Sequence, residues 1–315
     1  MNPHDEDPLA PKVPAEQQAG NRTISKVPDT PDSESSQPWL SEMVEQAAAA
    51  EAASNAPQKT YPEDLQISWS WAHFIVFGVF GFISLVVIQG AMAVIYAPHR
   101  RMSTKQLEEY LISKPQFAIG SMLLWYAAIF FFLYVTLSLL RGHTFWQTLG
   151  WRKLIPVQRE MPKNPLVYLF AGCGLSLFVA LATASMKTPK DTPMEELFKY
   201  RQTALLFVAM AVLVAPLVEE TLFRGYLYPM FARSFGITPA ILLTGLLFGL
   251  MHGAQLGWTW SLVGMLTMVG IIFTLVRART GTVFASFLMH LGYNGLISVA
   301  ALVTTHGFTK MPAGK

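Results

Sequence analysis

Glu219 and Glu220 stand side by side at the end of an apolar stretch, and Arg224 follows in the run Glu219-Glu220-Thr221-Leu222-Phe223-Arg224. Two later apolar stretches each deliver a histidine: His252, four residues after Phe248, and His290, four residues before Asn294. Ionisable groups beside hydrocarbon are costly, and a chain that keeps several there uses them. A carboxylate, two imidazoles and an amide are the groups a hydrolase needs: a general base, a holder for water or a metal, and donors for a developing oxyanion. On a helix Glu220 and Arg224 share a face at i and i+4, so the guanidinium can hold Glu220 ionised while Glu219 faces a cavity. His290 and Asn294 stack on one helical face in the same way. Each motif also has a plainer reading. The acids and Arg224 could be a helix-end salt-bridge cluster, His252 an interfacial or hydrogen-bonded histidine, and His290 with Asn294 an interhelical hydrogen-bond pair. The concentration of these groups favours chemistry: Glu219, Glu220, His252, His290 and Asn294 fall within 76 residues, although residues 67–315 hold only 8 acidic side chains in all.

Helices that cross a bilayer must position these residues. The chain is 52% hydrophobic and 14% charged, with a mean hydropathy of +0.36, unlike an ordinary soluble domain. Seven apolar runs, at 72–97, 117–140, 165–186, 203–222, 238–253, 258–277 and 281–304, approach or reach the ~20 residues of a membrane-crossing helix. The expected fold is all-α, a polytopic transmembrane helix bundle of about 7 spans behind a disordered N-terminal tail. Trp69, Trp71, Trp146, Trp151 and Trp258 fall near span ends, where amphipathic rings favour the interface. The apolar run from Thr203 to Val218 covers 16 residues, which places Glu219 and Glu220 just inside the membrane rim. No internal repeat is evident, which argues against a transporter built from duplicated halves.

The charge distribution divides the chain. Residues 1–66 carry 12 acidic and 4 basic side chains, and residues 67–315 carry 8 acidic and 19 basic. The first segment is too poor in large apolar groups to offset its ordering entropy and reads as a disordered acidic tail, with a short helix possible from Trp39 to Ala53. Residues 67–315 read as the transmembrane domain, and a basic membrane body suits anionic headgroups rather than nucleic acid. Cys173 is the only cysteine, which excludes an internal disulfide and a thiolate metal site. The N-terminus lacks the basic and apolar regions of a cleavable signal peptide. In the loops, Ser103 with Gln106 predicts a helix start, and Thr192-Pro193-Met194-Glu195 predicts a capping box that accounts for Glu195 and Glu196. Glu108 and Glu109 are loop acids with no partner signal. Five basic residues between 141 and 164 favour that loop and the N-terminal tail in the cytoplasm under the positive-inside rule, by a small margin, since the loops at 98–116 and 187–202 hold four each.

The run Ala215-Pro216-Leu217-Val218-Glu219-Glu220-Thr221-Leu222-Phe223-Arg224-Gly225 resembles the first motif of the CAAX-processing and bacteriocin-processing intramembrane proteases, the type II CAAX prenyl endopeptidases or CPBP family. Phe248 through His252 is similar to that family's Phe-x-x-x-His motif, and His290 through Asn294 to its His-x-x-x-Asn motif. The motifs occur in family order, and the resemblance covers residues 190–305. Phe145 through Trp151 also resembles a segment frequent upstream in bacterial members. The resemblance implies a multi-pass protein of the bacterial inner membrane acting on membrane-associated peptides, with or without a prenyl group. It implies that Glu219 is the general base, that His252 helps hold the attacking water, and that His290 and Asn294 stabilise the oxyanion. Glu220 and Arg224 would order the site, with Phe248 in support. The family is labelled metalloprotease, and His252, His290 and Glu219 could form a His2Glu zinc site with an open position. The tight His-Glu-x-x-His spacing of soluble zinc proteases is absent, which favours a glutamate-activated water and leaves zinc open.

Two readings from other classes compete. One is a non-catalytic membrane binding or immunity factor in which the cluster only glues helices. The other is an ion or proton relay through Glu219, Glu220 and the histidines. Glu219→Gln tells a protease, which loses cleavage at unchanged stability, from a relay, whose pH-driven flux is blocked. Under the glue reading no cleavage is seen and stability falls when Glu220, Arg224 or His290 is altered.

Overall fold

The structure is a computed structural model and describes residues 38–55, 62–97, 102–154, 160–184, 186, 198 and 200–309. Two compact units divide the chain, Met1–Lys59 and Thr60–Lys315. In the first, α1 (Pro38–Asn55) is the helix expected around Trp39.

The second unit opens with a 3₁₀ turn, Glu63–Leu65, followed by α2 (Trp71–Tyr96), α3 (Thr104–Ile112) and α4 (Pro115–Leu133), which widens into a π turn at Tyr134–Leu139. Short α5 (Phe145–Thr148) and α6 (Pro165–Thr183) come next. Then α7 (Arg201–Glu220) runs through a π segment, Thr221–Leu227, into α8 (Tyr228–Phe235). The unit ends with α9 (Ile237–Met251), α10 (Trp260–Thr280) and α11 (Val283–Thr304). Side-chain caps explain several starts. The expected signal at Ser103 is a reciprocal pair, with Gln106 N donating to Ser103 Oγ at 3.4 Å and Ser103 N donating to Gln106 Oε1 at 3.1 Å. Asn164 caps α6 ahead of Pro165, and Thr282 caps α11. Gly281, at φ 70°, ends α10 in a conformation that disfavours other residues. The Thr192–Glu195 capping box and Glu196 lie outside the described residues.

All seven expected apolar runs are helical, and 6 helices among the described residues are long and apolar enough to cross a membrane. The chain is an integral, multi-pass membrane protein. The shorter Ile237–Met251 helix, at 15 residues, spans about 22 Å. The lipid-facing role of α2 is visible in its burial: only Gly81 and Met92 are buried along its 26 residues.

The glutamates lie within a continuous 35-residue helical span, Arg201–Phe235, with Glu219 about 27 Å along it from Arg201. An acidic pair interrupts an apolar run in sequence, but Arg224 offsets the charge of Glu220 inside the protein, so the helix passes through. One expectation is corrected: the tail stops before residue 66, because residues 62–70 form a strap packed onto the bundle. Leu65 and Trp69 are buried, and Trp69 stacks on Tyr226 at 5.1 Å. Asp64 pairs with buried Arg277 at 3.0 Å, Glu63 pairs with Arg152 at 2.6 Å, and Arg233 donates to the Ile67 carbonyl.

Chain direction alternates through the bundle, so connections gather at two ends. The strap, residues 140–152, the α8–α9 turn and the α10–α11 turn meet at one end, tied by Trp71 Nε1 donating to Ser234 Oγ and Val283 N donating to Gly150 O. At the other end Arg201 Nε donates to the Gly307 carbonyl at 3.0 Å, and Phe198 stacks on Phe308 at 5.4 Å.

Helices α6 and α11 cross at backbone contact, because Gly172 faces the Met289 carbonyl and Gly292 faces the Leu169 carbonyl. Small residues permit this approach where lipid supplies no hydrophobic drive between helices. A Cβ at Gly292 would overlap the Leu169 carbonyl oxygen, and a backbone atom cannot swing aside. Gly292→Ala is therefore expected to cost about 1–3 kcal/mol and to shift His290 two residues away, read as a lower thermal midpoint in detergent together with lost activity.

Candidate active site

Two helix irregularities flank the glutamates. Pro216 lies inside α7 and leaves the carbonyl four residues back without its helical donor. The π segment begins at Thr221. Such single-turn widenings re-aim side chains and cluster at functional sites. Thr221 fixes this one, donating to the Leu217 carbonyl at 2.6 Å and accepting from Trp151 Nε1 at 3.1 Å.

Glu220 and Arg224 are fully buried and paired, Nη1 to Oε1 at 2.9 Å, as their spacing predicts. The remaining guanidinium donors reach α10, Nη2 to the Gly270 carbonyl at 2.8 Å and Nε to Thr274 Oγ1 at 3.3 Å. Aromatic faces cover the cation, Phe248 at 4.6 Å and Phe273 at 5.3 Å. Phe248 is thus one wall of the arginine's chamber, and it meets the His252 ring at 4.7 Å and the His290 ring at 5.8 Å. Thr274 and Gly270 escape sequence reading, because nothing in an apolar helix marks which carbonyl or hydroxyl a distant arginine will meet.

The same Glu220 Oε1 stands 3.0 Å from His290 Nδ1. A carboxylate already receiving Arg224 is an acceptor, so Nδ1–H donates and Nε2 of a neutral His290 keeps its lone pair. His252 is set the same way: Nδ1 lies 2.7 Å from the Phe248 carbonyl, which can only accept. Both free Nε2 atoms lie 3.8 Å from Glu219 Oε2. Glu219 is partly open, with its side chain 18% exposed. Asn294 Nδ2 donates to the Ala211 carbonyl at 2.8 Å, which fixes its amide orientation and leaves its second N–H uncommitted.

These groups meet at one cavity of about 340 Å³ lined by Glu219, Phe248, His252, His290 and Asn294. Glu220 and Arg224 sit behind that wall. Glu219, His252 and His290 present three acceptors to one point with no donor among them, an arrangement that calls for a water, a proton or a cation. The 3.8 Å separations exceed the roughly 3.3 Å between two donors of a tetrahedral zinc at ordinary bond lengths. Among the described residues no three His, Cys, Asp or Glu side chains form a group set to hold a metal ion.

Residues 201–296 match the family model described as type II CAAX prenyl endopeptidase Rce1-like. The matched segment contains all seven residues singled out above. No curated protein and no solved structure matches the chain.

Proposed function

Residues 201–296 belong to the Rce1-like type II CAAX prenyl endopeptidases, and on that footing we propose that the chain is an intramembrane endopeptidase that cleaves membrane-associated peptides with a water activated by Glu219. The observation that carries this reading is the convergence of Glu219 Oε2 with the free Nε2 atoms of His252 and His290, each at 3.8 Å, on one cavity. A water there donates its two O–H groups to Glu219 and to His252 Nε2 and turns a lone pair toward the substrate.

Attack on the scissile carbonyl carbon passes the water proton to Glu219, the general base. The carbonyl oxygen becomes an oxyanion stabilised by the free N–H of Asn294. His290 Nε2 adds a second donor once it has taken up a proton from solvent in the cavity, since the water's own proton resides on Glu219. Glu220 accepts from Nδ1 in both forms, so it orients the ring and balances the charge. Glu219 returns its proton to the leaving amine as the C–N bond breaks. Zinc is the second reading, favoured by the two histidine tautomers that leave Nε2 free for a ligand. No step is derived through it, because the three side chains would first have to close by about half an ångström.

The test is cleavage of hydrophobic and farnesylated peptides by the purified protein in detergent or liposomes, with and without chelator. Cleavage that survives chelation supports the metal-free glutamate mechanism. Cleavage lost to chelator and restored by zinc replaces it with the zinc reading. An inactive protein across the peptide library would move the binding or immunity reading ahead.

A further inference from the structure

Two stretches of the bundle widen into π turns, Tyr134–Leu139 and Thr221–Leu227, and one side chain ties them together. His73, near the start of α2, stands with Nδ1 2.7 Å from the Tyr226 hydroxyl and Nε2 2.9 Å from Thr136 Oγ1. Tyr226 belongs to the second π segment and Thr136 to the first. The donors follow from the surroundings. Thr136 donates its own hydroxyl proton to the Phe132 carbonyl at 2.8 Å. Its oxygen therefore accepts from His73 Nε2–H, and Nδ1 of the neutral ring accepts from the Tyr226 O–H. Tyr226 is fully buried, stacked on Trp69 at 5.1 Å and against Phe77 at 5.0 Å. His73 is the one acidic or basic residue among the 26 of α2. An ionisable group kept in an apolar membrane helix marks a role.

The second π segment begins at the residue after Glu220 and contains Arg224. Its register sets how these side chains are turned about the helix axis. A return to α geometry would close the wide turn and rotate Arg224 relative to the glutamates. Thr221 and Trp151 hold the start of the segment, and His73 holds it near its end through Tyr226. The fixed point is the first π segment and the turn before it, where Leu133 and Leu137 are fully buried in the same core as Tyr226. We propose that His73 is a positioning residue for the reaction. By tying Tyr226 to Thr136 it keeps the Thr221–Leu227 segment in its widened register, with Glu219 turned to the cavity and Glu220 turned to His290. It touches no substrate and acts through Tyr226. The kinetic consequence rests on the proposed role of Glu219, whereas the placement of Glu220 against His290 does not.

The test uses the full-length protein in detergent. Glutamine carries one acceptor and one donor, so His73→Gln can accept from Tyr226 and donate to Thr136, and His73→Leu can do neither. His73→Leu is expected to lower kcat about 10²-fold, the scale of a small misplacement of catalytic groups, with KM nearly unchanged. His73→Gln is expected to restore most of that loss. The double variant His73→Leu with Tyr226→Phe leaves no buried hydroxyl without a partner. It should regain the thermal midpoint lost in His73→Leu while kcat stays low. A readout independent of cleavage is the ¹⁵N spectrum of the His290 ring, whose Nδ1–H is donated to Glu220. Wild type and His73→Gln should show that single tautomer, and His73→Leu a mixture. Full kcat in a folded His73→Leu protein, a loss carried by KM, full kcat in the stable double variant, or an unchanged His290 tautomer in His73→Leu overturns the proposal. A wild-type protein that cleaves no peptide counts against the Glu219 reading instead, and the tautomer comparison still decides the role of His73.

Discussion

Glu219→Gln is expected to reduce peptide cleavage by about 10³-fold or more, within the range that positioned general bases supply, and to leave the thermal midpoint nearly unchanged. The amide keeps the size of the side chain and one acceptor oxygen but cannot take the water proton. Stability should hold because Glu219 is partly open to the cavity and carries none of the buried pairing. Its carboxylate stands 3.8 Å from each histidine, beyond direct hydrogen-bond reach. The check is a paired measurement of kcat/KM and unfolding midpoint in the same detergent. A Glu219→Gln protein that cleaves at near wild-type rate would remove Glu219 from the base role. One that loses activity only because it unfolds would support the cluster as helix glue.

Arg224→Met is expected to behave in the opposite way, losing about 3–5 kcal/mol of stability along with activity. The guanidinium is the buried partner of Glu220 and also ties the π segment to Gly270 and Thr274 of α10. Removing it strands a fully buried carboxylate, which costs more than the pair contributes. The double variant Glu220→Gln with Arg224→Met removes both charges and should recover much of the lost stability. It should not recover activity, because His290 then lacks the carboxylate that accepts from Nδ1 and orients its ring. Equilibrium unfolding of the two single variants and the double variant, each with its cleavage rate, separates the structural role of the pair from its role in orienting His290. Full activity in the stable double variant would show that Glu220 does nothing for His290 beyond packing.

Much of this molecule is legible from local sequence. Apolar runs of near-crossing length give helices because lipid offers backbone groups no other partner, and all seven runs are helical where expected. The Ser103–Gln106 cap is readable because its partners are three residues apart. The Glu220–Arg224 pair is readable because i and i+4 meet on any helix. The membership of Glu219, His252, His290 and Asn294 in one motif set is likewise carried by residue type and order. What tertiary structure alone decides depends on contacts between residues far apart in the chain. That the helix continues past the glutamates to Phe235 rests on Arg224 offsetting Glu220 inside the protein. The tautomers of His252 and His290 follow from the Phe248 carbonyl and from Glu220, and the second of these is 70 residues away from His290. The anchoring of Arg224 by Gly270 and Thr274 and the insertion of Asp64 onto Arg277 have no local signature. Each is settled by which helix faces meet, and close glycine contacts such as those of Gly172 and Gly292 set that meeting by letting backbone touch backbone.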